Sequence, residues 1–179
     1  MPRYVAFLRG VNLGAHRRIT NEDLRRRFEQ FGLREASTFR ASGNVIFQSD
    51  VRSESRLQAQ IEAGLAEALG YEVTTFIRSE HEVRAIAASQ PFAQAGPGGG
   101  KLQVALLAKP PSAEARNSVE TLSSRHDRLG FGARELFWLP AGRMSDSTLD
   151  LKQIERLLGP MTIRTMGTIE QIAATRLGR

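Results

Sequence analysis

The sequence predicts an α+β chain of two ferredoxin-like halves, each of βαββαβ type, packed as one compact body. Three observations predict it. Short apolar runs alternate with amphipathic helical stretches in the order β-α-β-β-α-β over the first half. Past a glycine- and proline-rich stretch the same order begins again, without a recognisable sequence repeat. The composition, 41% hydrophobic and 25% charged over 179 residues, is that of a globular chain. A chain of this size buries about 70% of its unfolded surface and needs no staple. The expected divisions are 1–90 for the first subdomain with a junction helix, 91–101 for the Gly/Pro-rich loop, and 102–179 for the second subdomain with a C-terminal helix.

Tyr4-Val-Ala-Phe-Leu-Arg9 is a short apolar run ending at Gly10, the form of a buried central strand. After the loop to Ile19, Thr20 or Asn21 can cap a helix. Its first turn holds Glu22 and Asp23, Leu24, Phe28 and Phe31 fall at i, i+4, i+7, and Gly32 stops it. Ala36–Ala41 and Val45-Ile-Phe47, broken at Ser42-Gly43-Asn44, predict a hairpin. Leu57, Ile61, Leu65 and Leu69 give a second helix closed by Gly70, and Tyr71–Ile77 an alternating fourth strand. Ser79-x-x-Glu82 is a capping-box pattern opening a third helix to about Gln90. The second half predicts strand Leu102–Leu107, helix Ala113–Leu122, and a hairpin of Leu129–Ala133 with Leu136–Leu139. Helix Leu149–Leu158 follows behind Asp146 or Ser147, then a strand near Thr162–Thr165 and helix Ile169–Arg176.

Composition excludes several chemistries. With no cysteine there is no thiol catalysis, iron–sulfur cluster or Cys-based zinc site, and His16, His81 and His126 lack ligand spacing, so neither metal nor cofactor is expected. No apolar stretch reaches the roughly 20 residues that span a bilayer, and Met1-Pro-Arg-Tyr-Val leads into a strand, not a signal peptide. The chain reads as soluble and cytoplasmic, with no membrane partner. The formal charge of +6 would suit a polyanion. Its basic residues are nearly all Arg, however, a skew that also follows from genome composition. Gly96-Pro-Gly-Gly-Gly-Lys101 imitates a phosphate-binding loop, but Ala95 and Leu102 break the pattern and the run enters a strand instead of a helix, so it reads as a hinge or exposed loop too flexible to pack.

Leu8-Arg-Gly-Val-Asn-Leu-Gly14, followed by Ala15-His-Arg-Arg18, is more informative. A strand ending in glycine, a turn with a second glycine and an Asn, and a helix start soon after gather backbone N–H groups and Arg9, His16, Arg17 and Arg18 around one loop that could hold an anion. The plainer alternative is that Gly10 and Gly14 supply positive φ and the arginines are solvated. Asn and Gly in Ser42-Gly43-Asn44 are likewise what a tight turn demands. The run Arg25-Arg26-Arg27 reads as a solvated helix face. His126-Asp127 makes no dyad by adjacency alone, and no catalytic residue can be named.

These residues also resemble a known family. Leu8–Gly14, Ser42-Gly43-Asn44-Val45-Ile46-Phe47, and Thr162-Ile-Arg164 before the last helix are together similar to the domain-of-unknown-function family numbered 1697. The resemblance covers essentially the whole chain. It implies two ferredoxin-like subdomains and no established activity. It also implies an Asn-aromatic-Asn triplet where this chain has Thr165, Met166 and Gly167. If Arg9, Gly10, Asn12, Gly14, Ser42, Gly43, Asn44 and Arg164 mark a shared pocket, Arg9 and Arg164 would be charge clamps. Asn12, Ser42 and Asn44 would orient the ligand, and the Gly10–Gly14 turn would offer N–H donors. The expected function is binding of a small anionic ligand, phosphorylated compounds included, near that loop. The alternative is a module for nucleic acid or another polyanion, since ferredoxin-like sheets can present stacking aromatics; against it, no aromatic RNP-type motif appears, and strand residues such as Phe47 and Phe76 read equally as core.

Overall fold

The computed structural model describes residues 1–11, 18–40, 43–93, 99–175 and 177. It contains two four-stranded antiparallel sheets with helices, in two compact units, Met1–Ala85 with Ile172–Arg179, and Ile86–Gln171.

The first unit runs β1 (Arg3–Arg9), α1 (Asn21–Gln30), β2 (Arg34–Thr38), β3 (Asn44–Gln48), α2 (Glu54–Leu69) and β4 (Thr74–Ser79), and leads into α3 (Glu80–Ala87). Its strand order, β2-β3-β1-β4, is the ferredoxin-like one. Tyr4 to Leu8 are buried on both faces of the central strand, which is why β1 reads as an unbroken apolar run. One face, with Tyr4, Ala6 and Leu8, forms a core with Leu24 and Phe28 of α1 and Leu57, Ile61 and Leu65 of α2. Phe47 stacks on Tyr4 at 5.8 Å and meets Phe28 at 5.7 Å between ring centroids. The opposite face, with Val5, Phe7, Ile46, Phe76 and Arg78, is buried as well.

Thr20 caps α1, its Oγ1 accepting the Asp23 N–H at 3.0 Å, and Gly70 closes α2 in the left-handed conformation. Three boundaries differ from the sequence expectation. β2 spans Arg34–Thr38 instead of Ala36–Ala41, with a register shift between Arg34 and Ser37 and Glu35 at φ +49°. β4 spans Thr74–Ser79 instead of Tyr71–Ile77, because its extent is set by pairing with β1 from Arg9↔Thr74 to Tyr4↔Ser79. Its Thr75 to Arg78 are all buried, so it does not alternate. α3 ends at Ala87, short of Gln90, after the expected capping box: Ser79 Oγ accepts the Glu82 N–H at 3.3 Å and Glu82 accepts the Ser79 N–H at 2.9 Å.

The second unit repeats the plan with β5 (Gln103–Leu107), α4 (Ala113–Glu120), β6 (Asp127–Phe131), β7 (Glu135–Pro140), α5 (Leu151–Leu158) and β8 (Met161–Thr165), followed by α6 (Met166–Thr175). The order β6-β7-β5-β8 equals that of the first sheet when counted from β5. Its core joins Ala105, Leu107, Leu136 and Trp138 to Val119 of α4 and Ile154 and Leu158 of α5. The cap of α5 is Asp150, not Asp146 or Ser147. Asp146 lies in a 3-10 helix, Met144–Asp146, and the Ser147 hydroxyl bonds to Asp127 instead. In the glycine run, residues 94–98 lie outside the described residues, but Gly100 is packed, contrary to the expected flexible loop. Its N–H donates to the Pro140 carbonyl at 2.6 Å, and a Cβ there would lie 1.9 Å from the Gly142 carbonyl oxygen.

Candidate functional site

The expected anion loop leaves the C-terminal end of β1. There β1 and β3 are antiparallel neighbours, Phe7 lies opposite Asn44, and the Leu8 N–H donates to the Gly43 carbonyl at 2.8 Å. Gly43 has φ +75°, and a Cβ there would stand 3.1 Å from Leu8 Cβ and 3.2 Å from the Leu8 carbonyl oxygen. Backbone conformation and tight space both favour glycine there. Gly10 also has positive φ, +77°. Asn44 is fully buried, its Nδ2 donates to the Phe39 carbonyl at 3.0 Å, and the Phe39 N–H donates to the Asn44 carbonyl at 2.9 Å. Its side chain helps to close the β2–β3 loop.

Arg9, Gly10, Gly43 and Asn44 are thus brought together at one end of the sheet. Asn12, Gly14 and Ser42 lie outside the described residues, as do His16 and Arg17. Exposed Arg9 and Arg18 flank the 12–17 stretch, and exposed Arg40 precedes 41–42. Arg40 sits at φ +58° with its guanidinium 5.6 Å from the centre of the Phe39 ring.

Arg164 belongs to the second unit. It lies in β8 opposite Val104, and its Nη1 donates to Thr162 Oγ1 and to the Ile163 carbonyl, both at 2.9 Å. Burial disfavours the charged form and pulls the guanidinium down to about 10. The structure reveals a counterpart that sequence reasoning missed. Arg78, 1% exposed, lies opposite Val5 in β4, and its Nη1 donates to the preceding carbonyl, that of Ile77, at 2.9 Å. A hydroxyl residue follows each arginine and opens the next helix; Thr165 Oγ1 accepts the Thr168 N–H at 3.2 Å, as Ser79 does for Glu82. The signal was present in the sequence: Ile77-Arg78-Ser79, Val83 and Ile86-Ala87 match Ile163-Arg164-Thr165, Ile169 and Ile172-Ala173 at identical spacing.

Two of the three positions of the missing triplet have structural roles here. Thr165 caps, Met166 is buried with its N–H donating to the Leu102 carbonyl at 2.8 Å, and Gly167 meets open space. Arg25 and Arg26 lie in an exposed ion-pair lattice on α1, with Arg25–Glu22 and Arg25–Glu29 at 2.6 Å and Arg26–Asp23 at 2.5 Å. The Arg25 hydrogen bond holds the Glu22 carboxyl below its ordinary value, and the Thr20 hydroxyl does the same for Asp23. No helix among the described residues is long and apolar enough to cross a membrane. Among those residues no three or more His, Asp or Glu side chains form a metal-binding group.

Two similar α+β halves, the first with arginines around the loop end of its central strand, define the class of protein. Residues 1–137 match the family described as "Protein of unknown function (DUF1697)", and the chain belongs to that family. The conserved bacterial protein SP0830 from Streptococcus pneumoniae is similar in structure, with a TM-score of 0.75 at 22% identity, covering 97% of each chain. No curated protein matches.

Proposed function

We propose that the first unit binds a small anionic ligand, phosphorylated compounds included, at the loop end of β1. The observation that carries this reading is the locked β1–β3 junction. Because Leu8 and Gly43 are hydrogen-bonded, the loops after Gly10 and before Gly43 spring from one point, with exposed Arg9 and Arg40 beside them. Guanidinium groups make charge-assisted, often bidentate bonds to phosphate or carboxylate, and the glycine turn adds backbone donors. Asn12 and Ser42 enter on sequence alone as orienting groups, and Gly14 as part of the turn that offers backbone donors. Asn44 is assigned to the fold, since its amide is engaged and buried. Phe47 and Phe76, 0% and 1% exposed, offer no stacking surface to the polyanion alternative.

A thermal-shift titration with phosphate, pyrophosphate, nucleoside monophosphates and sugar phosphates tests the proposal on the wild-type chain and an Arg9→Ala variant. At 100 times its dissociation constant a ligand adds about 2.7 kcal/mol, roughly 5–10 °C for a chain of this size. At least one anion should stabilise wild type and do so less in the variant. If none stabilises wild type more than Arg9→Ala, the site is wrong. Tight binding of single-stranded RNA at low salt without any small-anion response would favour the alternative.

A further inference from the structure

A separate pocket lies at the far end of the β6–β7 pair, within the second unit. Asp127 opens β6 opposite Pro140, the last residue of β7, and the chain then turns through Ala141, Gly142 and Arg143 into the 3-10 helix. Ser124, His126, Asp127, Arg143, Asp146 and Ser147 wall a cavity of about 330 Å³, within the range of small-molecule sites. Its frame is fixed by hydrogen bonds. The Ala141 N–H donates to the His126 carbonyl at 2.7 Å, and Ser124 Oγ accepts the N–H groups of His126 and Asp127 at 3.2 and 3.1 Å. Little has to be ordered when a ligand enters.

The floor is a carboxylate with one oxygen committed. Asp127 is 5% exposed, and its Oδ1 accepts both Trp138 Nε1–H at 2.8 Å and Ser147 Oγ–H at 2.7 Å. Those two donors fix the carboxylate plane. Among the described residues Oδ2 accepts no hydrogen bond and is not sealed off, and Asp127 lines the cavity. A carboxylate held this way wants a donor, and a cationic nitrogen is the strongest one.

The rim carries both signs: Asp146, whose Oδ1 accepts the Ser145 hydroxyl at 3.3 Å, and Arg143. Arg143 is exposed, and among the described residues its guanidinium and backbone N–H have no partner; the same is true of the Gly142 N–H. A simple amine would satisfy the floor and leave Arg143 facing it, whereas a simple acid would satisfy Arg143 and oppose Asp127. A ligand with both charges meets both ends. We propose that this pocket binds a small zwitterion of the α-amino-acid class, with its ammonium on Asp127 Oδ2 and its carboxylate on Arg143 and the adjacent N–H groups.

Calorimetric titration of the full chain with L-lysine, L-arginine, L-serine and L-glutamate tests this, alongside the carboxylate-free amines putrescine and agmatine and the amine-free succinate. Trp138, the single tryptophan of the chain, gives a second readout because it donates to the same carboxylate. At least one amino acid should saturate with a dissociation constant below about 1 mM, and its amine-only or acid-only analogue should bind about ten-fold or more weakly. Asp127→Asn keeps an oxygen for Trp138 and Ser147 but can turn an NH₂ toward the ligand, and should abolish binding. Arg143→Ala, at an exposed position outside the core, should weaken it about ten-fold and decides the matter if Asp127→Asn does not fold. The proposal is overturned if no amino acid saturates by about 10 mM, if the simple amine binds as tightly, or if a folded variant binds like wild type.

Discussion

Replacing Gly43 by Ala tests the junction on which the anion site rests, and the chain supplies its own controls. At Gly43 two costs combine. A non-glycine residue in the left-handed region loses about 1–2 kcal/mol. The new methyl also meets Leu8 Cβ at 3.1 Å and the Leu8 carbonyl oxygen at 3.2 Å, in a buried β1–β3 pair that has no flexible side-chain end to yield. Overpacking of this kind costs about 1–3 kcal/mol. Gly32 and Gly70 have nearly the same φ, +81° and +75°, but nothing within 4 Å of a Cβ. Gly32→Ala and Gly70→Ala therefore isolate the conformational term, and Gly43→Ala should exceed them by about 1–3 kcal/mol. Equilibrium urea unfolding followed by circular dichroism measures all three, with an unchanged slope confirming that the midpoint shift is a stability change. A Gly43→Ala variant no less stable than Gly70→Ala would show that the two strands can separate at this point, and the locked Leu8–Gly43 junction would have to be abandoned.

Asn44→Ala removes the buried donor to the Phe39 carbonyl and should cost about 1–3 kcal/mol in the same assay, with Asn44→Asp worse because it sets an anionic oxygen against that carbonyl. Trp138→Phe leaves Asp127 Oδ1 with Ser147 alone and should likewise lose about 1–3 kcal/mol by circular dichroism, whereas a loss near zero would mean that the carboxylate is not fixed by the indole. Asp23 has its carboxyl held below 3.8 when folded, first by the Thr20 hydroxyl and then by Arg26. Its stabilising contribution is therefore complete above 3.8 and lost as pH falls through the lower folded value. Asp23→Asn should accordingly lower the unfolding midpoint at neutral pH, with the difference shrinking as pH falls below 3.8; an effect that does not change with pH would point to something other than ionisation.

Periodicity alone carried the fold a long way. The continuous run Tyr4–Leu8, short and ended by Gly10, has the form of a strand covered on both sides, the i+4 spacing of Leu57, Ile61 and Leu65 that of one face of a helix, and Thr20, Ser79 and Gly70 mark helix ends by chemistry that acts over three or four residues. These are local causes, and local sequence records them. Strand limits were less legible. β4 begins at Thr74 and not Tyr71 because its partner β1 ends at Arg9, and a strand extends only where a ladder exists to pair with. The cap of α5 moved to Asp150 because Ser147 is drawn to Asp127, twenty residues away in sequence.

The sequence by itself determined the two βαββαβ orders, the glycine turns and the arginines beside the first loop, since each follows from residue type and spacing. Only the tertiary structure decided what the polar groups do. Asn44 is committed to Phe39, Gly100 is pressed onto Gly142, Arg78 and Arg164 take matching places in their two sheets, and Asp127 has one oxygen held by Trp138 and Ser147 and the other open. Backbone form follows from neighbours along the chain, but the partner of a hydrogen bond and the space around a side chain are set by strand pairing. That pairing joins residues far apart in sequence.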